Sequence, residues 1–120
     1  MYEIIFYRDN HGREPLLDYL KELNRQEGKD SRIKLNKIND YIQALSLYGT
    51  QINENYIKHI DEEIWELHPL KDRILFARVA GGRYVLLHQF VKRTRKTPVR
   101  EIKKAKRKLA DFEERSGFYD

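Results

Sequence analysis

Glu66, His68, Arg73 and His88 are the residues of this sequence whose types could do chemistry together. A carboxylate and two imidazoles can take up and release protons near neutrality, and a guanidinium can hold an anion through paired N–H donors. Side chains two residues apart on a strand share a face, so Glu66 and His68 point the same way. If Gly81 and Gly82 form a two-residue hairpin link, Leu75 faces His88 and Arg73 faces Phe90. Arg73 and His88 are then diagonal neighbours on one face, ~7 Å apart at Cβ. If the connection across residues 69–72 is also even, His68 faces Arg73 and all four groups share that face. Trp65, Leu67, Ile74, Phe76, Val85 and Leu87 then form the opposite, core-forming face. His88 is thus expected to point out of the core, toward Glu66 and Arg73, and a slip of one residue in either register would scatter the group.

Taken singly, each of these residues has a plainer role open to it. A histidine in a strand is more often half-buried and hydrogen-bonded than catalytic. Arg73 could be an ordinary ion-pair partner of Glu66 or Asp72, and His68, which precedes Pro69, could be a turn residue. Two histidines and one glutamate without a spacing motif give weak support for a metal, and no Ser-His-Asp, P-loop or G-x-G-x-x-G pattern is present. No cofactor is expected.

The elements that must position these groups follow from periodicity. Residues 2–7 read as a strand closed by the turn-rich 8–12 segment. Pro15 suits a first helical turn, and Leu16, Leu17, Leu20 and Leu23 give a helix over about 14–24 one apolar side. Asp30 or Ser31 can cap a second helix, whose Leu35, Ile38, Tyr41, Ile42, Leu45 and Tyr48 recur at helical spacing up to Gly49. Residues 64–69, 73–80 and 83–91 read as an antiparallel meander. Ile102, Ala105, Leu109 and Phe112 mark a closing helix whose other faces carry Lys103, Lys104, Lys106, Arg107 and Lys108. Residues 50–60 fit no element.

At 120 residues the chain suits one domain, 1–120, large enough to bury a core. With no cysteine, no leader-like N-terminus and no apolar run of ~20 residues, the expectation is a cytoplasmic protein without a membrane segment. Net charge is +5, and its placement is what informs. Residues 1–60 hold nine basic and nine acidic side chains, whereas the stretch from Lys71 to Lys108 holds fourteen basic and two acidic ones. Such a local excess is the footprint of a polyanion-binding surface, although a merely solvated face can look alike.

The runs I-W-E-L-H-P-L-K-D-R (64–73) and Y-V-L-L-H-Q-F-V-K-R-T-R-K-T-P (84–98), followed by a basic helix carrying Glu101, Ile102 and Ala105, resemble HigB-like toxins of the RelE/ParE superfamily. The likeness is strong over the latter half and limited to element order in the first. Two positions depart from the family pattern: His68 stands where the family has arginine, and Gln89 where it has glycine. The first alters the cation set, and the second is expected to affect only packing.

The resemblance implies an α+β fold of the RelE/ParE-like kind: an N-terminal strand, a helical hairpin, a three-stranded meander in an antiparallel sheet, and a C-terminal helix. It also implies the toxin of a type II toxin–antitoxin system, an mRNA endoribonuclease acting with the translating ribosome. The cognate antitoxin, often a helix-turn-helix protein, would be its partner in a hetero-oligomer. Metal-independent RNA cleavage needs a deprotonated 2′-hydroxyl, a stabilised phosphorane and a protonated 5′-oxygen, and it leaves a 2′,3′-cyclic phosphate. Glu66 or His88 could serve as base and acid, with Arg73 stabilising the phosphorane charge. Lys71, Arg78, Lys92, Arg93, Arg95, Lys96 and His68 would contact RNA or ribosome, with Tyr84 and Phe90 as stacking groups. Other readings are a ParE-like inhibitor of DNA gyrase that cleaves nothing, a noncatalytic nucleic-acid-binding module, and a purely structural partner protein.

Overall fold

A computed structural model of the chain describes residues 1–116. In chain order the elements are β1 (Glu3–Phe6), α1 (Pro15–Arg25), α2 (Lys29–Tyr48), one turn of 3-10 helix (Gly49–Gln51), β2 (Ile57–Asp61), β3 (Ile64–Leu67), β4 (Asp72–Val79), β5 (Arg83–Val91) and α3 (Val99–Ser116). The five strands form one sheet in the order β1-β5-β4-β3-β2. The meander therefore has four strands, with β2 arising from the segment that periodicity leaves unassigned. β1 closes the other edge by pairing parallel to β5, so the sheet is mixed.

The helices follow their apolar spacing. Pro15 occupies the first turn of α1, which turns Leu16, Leu20 and Leu23 inward. Neither Asp30 nor Ser31 caps α2: Gly28 holds the cap position, and the Ser31 hydroxyl donates to Gln26 Oε1 at 2.6 Å instead. Gly49 ends α2 at φ 64°, and a Cβ there would lie 2.8 Å from both the Tyr2 ring and the Tyr84 hydroxyl. Only glycine fits that close approach.

Each face of the sheet is covered. Leu67, Ile74, Phe76, Tyr84 and Leu86 pack under the helical hairpin with Ile38 and Leu45. Ile64, Leu75, Ala77, Val85 and Leu87 pack under α3 with Ala105 and Leu109. Val85 and Leu87 thus lie on the face opposite to the expected one, because the β4–β5 hairpin is built differently. Val79 pairs with Arg83, so the link is the three residues Ala80, Gly81 and Gly82, and both glycines take positive φ. The pairing then runs Ala77 to Val85 and Phe76 to Leu86, until a bulge at Leu87 shifts the register. Beyond it, Leu75 faces His88 and Arg73 faces Phe90, as the sequence predicts. The longer loop and the bulge cancel at the site but reverse Tyr84 through Leu87.

Helix α3 meets the sheet through few apolar residues and a line of polar ones. Tyr7 donates its hydroxyl to Asp111 Oδ2 at 2.6 Å. Burial and that carboxylate push the phenol up to about 12. Arg115 bonds both Asp111 and the Arg8 carbonyl, tying the end of the helix to the chain after β1. No helix is long and apolar enough to cross a membrane among the described residues.

Candidate active site

The β3–β4 turn builds the first half of the site. The Asp72 N–H donates to the Pro69 carbonyl at 3.1 Å, and Leu70 takes φ 57°, which bends the chain back within two residues. The Leu70 and Asp72 carbonyls then face Arg73, whose Nη1 donates to them at 2.7 and 2.8 Å. This orients the guanidinium toward β3, where its Nε lies 3.7 Å from Glu66 Oε1. Nε itself is buried and makes no hydrogen bond among the described residues. Glu66 is 2% exposed, and its Oε2 accepts the Thr97 hydroxyl at 2.6 Å. A buried carboxylate with two such partners stays put, and Thr97 in turn fixes the base of the cationic loop.

That loop is residues 92–96. Its first N–H, from Lys92, donates to the Lys71 carbonyl at 2.9 Å, and the Thr94 hydroxyl closes a turn on the Lys96 carbonyl at 2.7 Å. Arg93, Arg95, Lys96 and Lys71 are exposed, and Lys92 is half-buried. Among the described residues none of these five forms an ion pair. His68 stands at the end of β3, in the electrostatic field of Arg73, Glu66 and Lys92. Burial lowers its pKa, a hydrogen bond with the Ile57 backbone opposes that, and the Arg73 charge adds to the lowering. The balance favours the neutral form of the His68 imidazole.

His88 lies elsewhere. Its pairing with Leu75, itself paired with Glu66, places the three on one face as expected, but that face is covered by α3. Leu75, fully buried, separates Glu66 from His88, about 10 Å apart at two strand spacings. The His88 Nε2 lies 2.9 Å from Glu101 Oε1 and its Nδ1 3.1 Å from Lys108 Nζ, while its ring stacks on Phe90. An ammonium can only donate, so Nδ1 accepts and Nε2–H donates to Glu101. Burial holds the His88 pKa below its usual value, opposed by the Glu101 hydrogen bond. Burial raises that of Glu101, but His88 and Lys104 outweigh it and leave the carboxyl below its usual range. The expectation that His88 points out of the core fails because the amphipathic α3 lies over this face.

Residues 18–110 match the family described as phage derived protein, Gp49-like. The chain belongs to the Gp49-like family. That family is associated with RelE-type, toxin-like proteins. Among curated proteins, none matches the chain in sequence. The match runs from α1 into α3, so Glu66, His68, Arg73, the cationic loop, Thr97 and His88 all fall inside it, and β1 falls outside.

Within this Gp49-like chain, Tyr84 and Arg78 do not join the group. They pair with each other near the far end of the β4–β5 hairpin, and Arg78 is five residues, roughly 16 Å, along β4 from Arg73. Tyr84 is 1% exposed, edge-on to Tyr2 and Phe76, and its hydroxyl accepts the Thr50 N–H at 3.2 Å. It offers no face for stacking, because the bulge turns it into the core under the hairpin. Phe90 is also buried, against His88. Lys108 and Lys106 leave the solvated side of α3 for His88 and Asp61.

Two residues that matter carried no signal in the sequence. Thr97 is one of several polar residues in a basic loop, and its bond to Glu66 spans 31 positions. The other is Asp72, whose carboxylate turns away from Arg73. Fully buried beneath the helical hairpin, its Oδ1 accepts Tyr19 and Gln89 at 2.8 Å each, and Lys34 Nζ lies 3.5 Å from Oδ2. Gln89 thus does more than pack: it joins β5 to a buried charge that also holds α1 and α2.

Proposed function

We propose that this protein is the toxin of a type II toxin–antitoxin system and a metal-independent mRNA endoribonuclease that works in the cytoplasm with the translating ribosome. The observation that carries this reading is Arg73, aimed by two backbone carbonyls beside buried Glu66 at the foot of a cationic loop that forms no ion pair among the described residues. A phosphate held over Arg73 by Lys92 and the loop lies next to a carboxylate and a neutral imidazole. The 2′-hydroxyl proton passes to Glu66, once Thr97 yields its hydrogen bond, or to His68. The 2′-oxygen then bonds to phosphorus, the P–O5′ bond breaks, and the 5′-oxygen takes up a proton from water or from the conjugate acid just formed. The products are a 2′,3′-cyclic phosphate and a 5′-hydroxyl. Arg73 neutralises the extra charge of the phosphorane on the way. A helix-turn-helix antitoxin is its expected partner, in a toxin–antitoxin hetero-oligomer.

The occupied nitrogens of His88 favour one alternative, a toxin or binding module that grips nucleic acid or gyrase and cleaves nothing. Both are tested by inducing the chain without an antitoxin, following amino-acid incorporation, and mapping RNA ends. Arrested translation with cyclic-phosphate ends that form in the presence of chelator supports the nuclease. Arrest with intact mRNA supports the noncleaving reading, and unimpaired growth overturns the toxin assignment.

A further inference from the structure

The segment between α2 and β3 forms one wall of a cavity of about 580 Å³, within the range of small-ligand sites. Its floor is aromatic. His59 and Trp65, cross-strand partners on β2 and β3, stack with centroids 4.5 Å apart and planes 19° apart. The pair is rigid, because His59 Nε2 lies 2.6 Å from the Glu62 carbonyl, which can only accept and so fixes both ring and tautomer. His59 is exposed and Trp65 half-buried, so the stack ends in an open ring face. This wall is ordered: the Asn55 N–H donates to Asn53 Oδ1 at 2.8 Å and the Tyr56 N–H to the Asn53 carbonyl at 2.9 Å. That turn brings Glu54 and Asn55 to the rim, supplying an amide and a carboxylate. Lys58 and His68 complete the lining, and His68 is the residue that also feels Arg73, Glu66 and Lys92.

A flat ring held open, an amide and a carboxylate beside it, and an imidazole, His68, that links the cavity to the charges of Arg73 and Lys92 together describe a site for a nucleobase. We infer that this cavity is a nucleobase subsite, in which the base of a nucleotide further along an RNA strand anchored at Arg73 and Lys92 stacks on the His59–Trp65 pair while Asn55 and Glu54 hydrogen-bond its edge. The inference rests on the RNA reading above and adds to it where base preference is set. Asn55 can donate to and accept from any base edge, whereas Glu54 accepts from an amino group and disfavours a bare carbonyl. A base bearing an exocyclic amine is therefore preferred.

Trp65 is the sole tryptophan, so its emission reports on this cavity alone. The full-length protein is titrated with a short single-stranded RNA and with a strand of equal length made of abasic ribose phosphates. Anisotropy of labelled strands gives binding, and Trp65 emission with unlabelled strands gives stacking. The RNA should quench Trp65 and the abasic strand should bind without quenching. His59→Ala, at an exposed position and checked by its unchanged melting curve, should weaken RNA about tenfold and leave the abasic strand unaffected. Asn55→Ala should alter the ranking of the four homopolymers. RNA that binds yet leaves Trp65 emission unchanged, or a His59→Ala protein that loses both strands equally, overturns the subsite and leaves the RNA reading standing. Failure of every strand to bind overturns both.

Discussion

His88 and Glu101, thirteen residues apart, are joined by a 2.9 Å hydrogen bond that ties β5 to the first turn of α3. The bond makes the histidine a fastener of the closing helix. His88→Gln should accordingly lower the melting temperature and leave the rate of RNA cleavage per folded molecule nearly unchanged. Loss of one partner from a buried, charge-assisted bond costs about 1–3 kcal/mol, several degrees in a chain of this size. Single-turnover cleavage and thermal melting on the same two proteins check it, and a stable variant cleaving ~100-fold more slowly would return His88 to the chemistry.

The same contact has a pH signature. The His88 pKa is lower folded than unfolded, so between the two values the unfolded chain binds more protons and stability rises with pH. Its contribution is full above the unfolded value near 6.5 and is lost as pH falls from there through the folded value. Glu101, also lowered, contributes above the ordinary carboxylate value and is lost at more acidic pH. Chemical denaturation of wild type should show stability falling below about pH 6.5, with His88→Gln flatter across that first window. Parallel curves for the two proteins would remove His88 as the cause.

The sequence displayed the cleft better than it displayed what covers the sheet. Glu66, His68 and Arg73 were legible because the β3–β4 register depends on one short turn. The Arg73–Phe90 and Leu75–His88 pairs were legible because a three-residue loop and a bulge offset each other. Tyr84 through Leu87 were not, since apolar residues stand on both sides of β5 and alternation cannot show a bulge. Nor could α3 be assigned to the His88 face, because an amphipathic helix fits either side of a sheet whose two faces are apolar. β2 escaped notice because its Lys58 and His59 break the apolar alternation at an exposed edge.

Arg73→Ala should abolish most toxicity while the protein stays folded, with cleavage reduced ~100-fold or more. Arg73→Lys should rescue little, because an ammonium cannot bond the Leu70 and Asp72 carbonyls and still present a second row of donors. Growth arrest on induction, followed by cleavage in vitro, measures both. A folded, fully toxic Arg73→Ala would remove the residue from the mechanism.

Neutralising Lys92, Arg93 and Lys96 should weaken RNA or ribosome binding for all sequences alike and flatten its salt dependence. Each phosphate contact removed lowers the slope of log K against log salt by about 0.7 for a single strand. An unaltered slope would make the loop a solvated bystander.

Asp72→Ala should destabilise the fold more than any change in the cleft. It strips the Tyr19 hydroxyl and the Gln89 amide of their shared acceptor and leaves Lys34 without its counter-charge. Unpaired buried groups of this kind cost about 1–3 kcal/mol each. Hydrogen exchange should show α1 opening first, and protection equal to wild type in α1 would contradict the link.

The parallel pairing of β1 with β5 also sets a schedule. Glu3 pairs with Arg83, eighty positions later, so β1 is made well before the strand it pairs with. At ~5–20 residues per second on the ribosome, β1 waits roughly 4–16 s for its neighbour to be synthesised. During that interval the Tyr2 N–H, which ends on the Ser46 carbonyl, can anchor the strand to α2 alone. Of the strand pairings, β1–β5 closes the longest loop and so carries the largest closure entropy. A nascent chain halted before residue 83 holds an unfinished sheet, so the Arg73 cleft is complete only after β5, the 92–96 loop and Thr97 have been made.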